Sequence, residues 1–305
     1  MILWEPEVLA RIRHLTLTAR ATVDGIHHGL HPSRAVGGAA EFEDYKEYTP
    51  GDPLRDLDWR VAARSDRLVI RRHRGESLLP SWIALDCSGD MGTGQGRPGA
   101  RPPLDAGKLG YALTLSATLA WYLTLQGEPV GLCLLGGQGS PWELLQPRRG
   151  RRHLGRVLGC LASVSAAGRA ELGVGLASLA GHLHRSSLVV LVSDLMEPTE
   201  AWAPALLGLA RRKSEARVLH VLDPAELDLR FPRAARLFSP EGGPDRPVDP
   251  AELRPGFREV VRAWRAEVEG AVLAGRGAYV AVPTDRPLAE PLLRLLGLGA
   301  RRSAG

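Results

Sequence analysis

An α/β fold, built on a mostly parallel and doubly wound sheet, is what this 305-residue sequence predicts. Three observations predict it. Short apolar runs close on an acid: Trp82-Ile83-Ala84-Leu85 before Asp86, and Leu188-Val189-Val190-Leu191-Val192 shortly before Asp194. Such uninterrupted runs suit strands buried on both faces. Segments of helical spacing lie between the strands, and that alternation gives a parallel sheet covered on both sides. Length and a 44% hydrophobic share also permit a sizeable core without staples.

The elements follow in order. Residues 5–30 read as a helix, with Val8, Leu9, Ile12, Leu15, Leu17 and Val23 near helical spacing. A Gly-rich, acidic and aromatic segment at 33–66 has no sustained period, and 67–73 reads as a strand exposed on one side. From residue 81 a strand leads into a Gly-rich loop reaching about residue 104, then an uncharged helix over 109–127. Strands at 129–135 and, antiparallel to it, 142–146 come next, then helices at 152–164 and 171–184. The strand at 188–192 precedes a helix (200–213), a strand (217–222), a helix (255–275), a strand (278–282) and a helix (286–296). The stretch 225–253 interrupts this rhythm, and its Pro240-Glu241-Gly242-Gly243-Pro244 turn signal marks an inserted hairpin. The expected division is an N-terminal helix (1–32), a β-rich extension (33–78) and an α/β domain (79–298) carrying the hairpin.

Composition narrows the function. Cys87, Cys133 and Cys160 are odd in number and widely spaced, which speaks against a disulfide framework and for a reducing, cytoplasmic setting. The first residues show no basic region followed by an apolar run, so no secretory signal is expected. Net charge is +5, but only Lys46, Lys108 and Lys213 are lysines, and the arginines are scattered. The clusters Arg148-Arg149-Gly150-Arg151-Arg152 and Arg211-Arg212-Lys213 fall at helix ends, where cations meet orphan carbonyls or water. No aromatic-studded basic stripe is present, so nucleic acid is not the expected partner. The uncharged run 109–127 carries Thr114, Ser116, Thr118, Thr124 and Gln126, which fits a helix beneath a sheet better than a membrane span.

In open α/β sheets ligands bind beyond the carboxyl ends of the strands, where Asp86 and Asp194 both fall. The loop Asp86-Cys87-Ser88-Gly89-Asp90 sets three oxygen-bearing side chains at alternate positions, a donor set suited to Mg²⁺. Cys87 alternates away from them and belongs in the core. This resembles the metal-ion-dependent adhesion site (MIDAS) of von Willebrand factor A-type domains, whose first motif is Asp-x-Ser-x-Ser. Asp86 and Ser88 match that motif, and Asp194 matches the later aspartate. Asp90 replaces the second serine, and Ala170 stands near the threonine position. The resemblance implies Asp86, Ser88, Asp90 and Asp194 as metal residues, in a degenerate site. Three carboxylates against one divalent ion leave little demand for an acidic ligand, and without a cation they repel. Three arrangements stay open: a metal held by carboxylates alone, closure by a cation such as Arg169, or an inactive site.

A longer signature occupies 37–72. Glu41-Phe42 is followed by Tyr48-Thr49-Pro50-Gly51-Asp52-Pro53-Leu54-Arg55-Asp56-Leu57-Asp58-Trp59-Arg60, then Arg64. Pro50-Gly51 fits a type II turn, and Asp52-Pro53 fits an N-cap with Pro at the first helical position. Tyr48, Pro50, Gly51, Asp52, Arg55, Asp58, Trp59, Arg60 and Arg64 are then either an ion-pair network that pins the segment or a recognition surface. With the Asp-x-Ser strand end, this block resembles the bacterial family called domain of unknown function 58, most closely over 37–200. The resemblance implies a von Willebrand factor A-like, Rossmann-like sheet domain with a β-rich N-terminal extension. It also implies a link to MoxR-type AAA+ ATPases, as adaptor or presenter of their clients in assembly or chaperone-like tasks. Many members carry two N-terminal membrane spans, and this chain begins after the place where they would lie.

Catalytic signatures are weak. Ser88 has no Gly-x-Ser-x-Gly elbow, no His-Glu-x-x-His run exists, and Gly92-Thr93-Gly94-Gln95-Gly96 lacks the Lys-Ser/Thr ending of a phosphate loop. The expected function is therefore a non-catalytic interaction module. The alternative is a Mg²⁺-dependent phosphoester hydrolase using Asp86, Asp90 and Asp194.

Overall fold

The structure, a computed structural model, describes residues 6–29, 42–47, 61, 69–73, 79–94, 107–137, 142–184, 186–229, 235–237, 246–248 and 250–297. The chain clusters into two compact units, Met1–Gly29 with Leu79–Gly305, and Leu30–Leu78. In the smaller unit, β1 (Phe42–Glu47) and β2 (Val69–His73) pair antiparallel, with Tyr45 opposite Arg71 and a register shift between Phe42 and Asp44.

The larger unit holds a six-stranded sheet of β3 (Ser81–Asp86), β4 (Val130–Leu135), β5 (Trp142–Arg148), β6 (Leu188–Ser193), β7 (Glu215–Leu222) and β10 (Ala278–Pro283). Across the sheet the order is β10-β7-β6-β3-β4-β5. Every neighbouring pair is parallel except β4 with β5, so the one reversed strand lies at an edge. This is the doubly wound arrangement, in which the chain fills one half of the sheet from β3 and then crosses to the other half. The mostly parallel sheet expected from the acid-ended apolar runs, reversed strand included, is the one present.

Helices cover both faces. On one face α4 (Leu172–His182), α5 (Thr199–Arg211) and α7 (Pro250–Ala274) bury Leu172, Leu176, Trp202, Leu206, Val268 and Val272 against Trp82, Ala84 and Cys133. The other face carries α2 (Gly107–Leu125), with α3 (Arg151–Ser163) beside it and α8 (Ala289–Leu295) against β10. The first helix, α1 (Pro6–Gly29), packs on α2 and α3 through Leu15, Ala19, Val23 and Ile26. That second layer explains why α2 carries no charge between Leu109 and its end: every residue from Gly107 to Ala120 is buried. Its threonine hydroxyls turn back onto the helix, Thr114 donating to the Gly110 carbonyl (2.9 Å) and Thr118 to that of Thr114 (2.7 Å). Among the described residues no helix is long and apolar enough to cross a membrane.

Two readings need adjustment. The hairpin appears as β8 (Ala235–Leu237) with β9 (Arg246–Val248), and its turn lies outside the described residues. The segment read as its lead-in is instead a short helix, α6 (Pro224–Asp228), capped by Asp223 accepting from the Ala225 amide (2.9 Å). The arginine clusters also differ from one another. Arg211-Arg212-Lys213 does close α5 at its carboxyl end, and Arg212 donates to the Ala180 carbonyl (2.6 Å). Arg151 and Arg152 open α3 at its amino end, where the helix dipole disfavours cations, and they are exposed to water.

Candidate functional site

The carboxyl ends of the three adjacent strands β3, β6 and β7 present Asp86, Asp194 and Asp223. The chain leaves β3 toward β4 on one side, while β6 lies on the other, so a crevice opens between the diverging connections. Backbone hydrogen bonds stitch the loops that border it. The Cys87 amide donates to Leu135 (2.7 Å), Gly89 to Gly168 (2.9 Å), Ala167 to Cys87 (3.0 Å) and Gly137 to Ala167 (2.9 Å). Gly136 serves this approach, since its φ is +77° and a Cβ there would sit 3.0 Å from the Arg169 carbonyl oxygen. Cys87 points into the core, as its alternation with Asp86 and Ser88 requires.

Asp86 and Asp194 are 2% and 3% exposed. Asp86 accepts from the Ser88 amide on Oδ1 (2.9 Å) and from the Ser193 hydroxyl on Oδ2 (2.5 Å). Burial, then the nearby Asp194 charge, pushes its carboxyl up to about 7, with the Ser193 and Ser88 hydrogen bonds pulling the other way. Asp90 sits in the 3-10 turn Asp90–Gly92 that follows; burial and then Asp194 raise it, while Lys108 and Arg169 act against that rise.

A buried cation, Lys108, stands beside Asp194. Its Nζ lies 2.6 Å from Asp194 Oδ2 and 2.9 Å from Glu226 Oε2, and the side chain is 2% exposed. Burial opposes its charge, but the two carboxylates outweigh burial and hold its pKa above the ordinary lysine value. The Lys108 amide donates to the Thr93 carbonyl (3.0 Å), and the Thr93 hydroxyl bonds Glu226 Oε1 (2.5 Å). Loop, helix start, strand end and α6 are thereby tied into one network. Arg169, the cation suggested by the sequence, is exposed, lines the same cavity and counters the rise at Asp90, while Lys108 holds Asp194.

Asp86, Ser88, Asp90 and Asp194 all line one cavity of about 320 Å³, together with Arg169, Ala170 and Glu197. Both Glu197 oxygens accept from the Leu172 amide at the start of α4 (3.1 and 3.2 Å). The signature residues Tyr48, Pro50, Gly51, Asp52, Arg55, Asp58, Trp59, Arg60 and Arg64 lie outside the described residues. Sequence reasoning missed Lys108, Ser193, Asp223 and Glu226. Asp223 carried the same signal as Asp86, an acid closing an apolar strand, and Lys108 was the one cation bordering an uncharged helix.

The donor set fits a metal poorly. Ser88 and Asp90 line the cavity, but both Asp86 oxygens accept hydrogen bonds, Asp194 Oδ2 is held by the ammonium, and its Oδ1 accepts from the Met196 amide (3.3 Å). Ala170 brings no side-chain oxygen where the adhesion-site pattern has threonine. Among the described residues no group of three or more His, Cys, Asp or Glu is arranged to hold a metal ion. Among the described residues no histidine lines the cavity beside Ser88. The histidine behind Asp194, His220, is fully buried and has both ring nitrogens engaged, by the Asp194 carbonyl and the Tyr279 hydroxyl (2.9 Å each). Burial drives its pKa down to about 3, so it stays neutral and structural.

The model for the family described as "Protein of unknown function DUF58" matches residues 44–267. The uncharacterized proteins Rv1480 of Mycobacterium tuberculosis and Mb1516 of Mycobacterium bovis are each 27% identical, over 98% of this chain and 92% of theirs. Similar solved structures include an aerotolerance-related membrane protein of Bacteroides fragilis (14% identity, TM-score 0.47, 72% of this chain and 97% of that one). The SpRpn10 VWA domain is a second (15%, TM-score 0.44, 73% and 98%), and BatB of Bacteroides thetaiotaomicron a third (16%, TM-score 0.42, 72% and 99%).

Proposed function

We propose, from the premise that this chain belongs to the DUF58 family, that it is a non-catalytic protein-interaction module whose docking face is the carboxyl edge of the sheet. The observation that supports this reading most is the pairing of surfaces at that edge. The polar cavity beyond β3 and β6 adjoins an apolar groove of about 290 Å³ lined by Met196, Leu227, Phe257, Val260, Val261 and Trp264. Met196 and Val260 stand 55% and 66% exposed there, an arrangement suited to a partner that buries an apolar anchor beside a polar rim.

The proposed partner is an AAA+ ATPase of the MoxR type or a client it handles, which is what the sequence resemblance implies. The unpaired thiols of Cys87, Cys133 and Cys160 agree with a cytoplasmic site of action. Phosphoester hydrolysis gains no support from the geometry, because the ammonium occupies the carboxylate that a metal would need.

The test is a titration of a purified MoxR-type AAA+ ATPase onto the immobilised chain, wild type against Asp90→Lys. Asp90 lines the cavity mouth and is half-buried, so reversing its charge alters the rim without opening the core. Binding at least tenfold weaker in the variant is expected, about 1.4 kcal/mol. Equal affinity for both proteins would move the contact off this edge.

A further inference from the structure

We propose that the Lys108 ammonium is the resident cation of the strand-end site, in the role that the adhesion-site pattern gives to a divalent metal, and that the site works without metal. The inference deepens the interaction reading above, because it fixes what the rim presents to a partner.

Three observations converge. The first is burial. A lysine 2% exposed is tolerated only when its charge is matched, and Lys108 meets Asp194 and Glu226 from two different connections of the sheet. The second is the preparation of its place. Gly107 enters α2 at φ +70°, and a Cβ there would lie 2.7 Å from the Thr93 carbonyl oxygen that receives the Lys108 amide. Glycine at 107 therefore lets the helix start press against the loop after β3, and so sets the lysine stem under the strand ends. Thr93 in turn holds the second carboxyl oxygen of Glu226 (2.5 Å), orienting that side chain toward the ammonium.

The third is the oxygen count. Mg²⁺ seeks about six oxygens in near-octahedral array. The Asp86 oxygens are held by Ser88 and Ser193, the Asp194 oxygens by Lys108 and Met196, and Ala170 contributes none. A metal drawing on Asp86 and Asp194 would have to compete with an ion pair and three hydrogen bonds, which leaves it Ser88 and Asp90 among the four predicted residues. The ammonium, by contrast, needs no octahedron. It supplies up to three donors on a flexible stem, and two carboxylates engage it here.

The consequence for binding is direct. Without an under-coordinated metal, a partner need not bring a carboxylate to complete a coordination sphere, and chelators leave the docking face intact.

The experiment is calorimetric titration of the full chain, stripped with EDTA, with MnCl2 and separately with MgCl2 at neutral pH. No saturable binding is expected, and neither ion shifts the melting midpoint. Saturable Mn²⁺ binding to the wild type that Asp86→Asn abolishes would overturn the inference. Lys108→Ala provides a second arm: where it folds, it should bind Mn²⁺ saturably, as the wild type does not, and melt higher with the ion. A folded Lys108→Ala protein that still ignores divalent ions would equally overturn the lysine's role as a stand-in. Neither arm needs a partner, so a failure of the interaction reading leaves this test unchanged. A partner that binds only when Mg²⁺ is present would sink this inference and leave the interaction reading standing.

Discussion

Lys108→Met lowers stability by about 3–5 kcal/mol, the cost of stripping one member from a buried ion pair. Methionine keeps most of the stem's volume, so the loss is electrostatic rather than a cavity. Asp194 is left buried with its Oδ2 unpaired, and Glu226 loses the contact that draws α6 toward the strand ends. In a thermal melt the midpoint should fall on the order of 10 °C. The pair Arg20–Asp24 on α1 supplies the contrast, since its side chains are 69% and 55% exposed and 3.6 Å apart. Arg20→Met should cost less than about 1 kcal/mol, as exposed pairs do. Equal melting of Lys108→Met and wild type would mean that the ammonium is not held as described.

Trp202→Ala should cost a comparable amount, about 3–5 kcal/mol, for a different reason. Its side chain is fully buried in the core shared by α4, α5 and α7, and its indole N–H donates to the Glu197 carbonyl (3.2 Å). Glu197 is also the residue whose carboxylate caps α4 through the Leu172 amide. Removing the indole thus opens a large void and frees the Glu197 backbone at the edge of the strand-end cavity. The neighbouring helices cannot close in freely, because Gly173 already brings α4 so near α5 that a Cβ there would fall 1.9 Å from the Ala201 carbonyl oxygen. Urea unfolding checks this through a lower midpoint with an unchanged slope. A loss below about 1 kcal/mol would contradict the close packing of α4 on α5.

Much of the fold could be read before any coordinates, and the reason is burial. Strands covered on both faces must be apolar along their whole length, so β3 and β6 announce themselves, and the acids that end them mark the edge. The uncharged helix was legible for the same reason, because α2 lies between the sheet and α1. Residues 225–228 were less transparent. The sequence places them in the stretch that carries the hairpin, although Asp223-Pro224 shows the same N-cap pattern as Asp52-Pro53. What the sequence withheld was pairing at a distance. Lys108 and Asp194 are 86 residues apart, and Asp86 and Ser193 are 107 apart. Charge arithmetic required a cation near the acids, but only three-dimensional proximity adds Lys108 to Arg169, which stands beside Ala170 in the sequence.

Site-specific photo-crosslinking tests whether the carboxyl edge of the sheet is the docking face. A photoreactive residue at Met196, 55% exposed just beyond β6, is compared with one at Leu125, 50% exposed where α2 ends on the opposite, amino edge. With a purified MoxR-type AAA+ ATPase, in EDTA, an adduct from position 196 and none from position 125 is expected. An adduct from position 125 with none from 196 would contradict it.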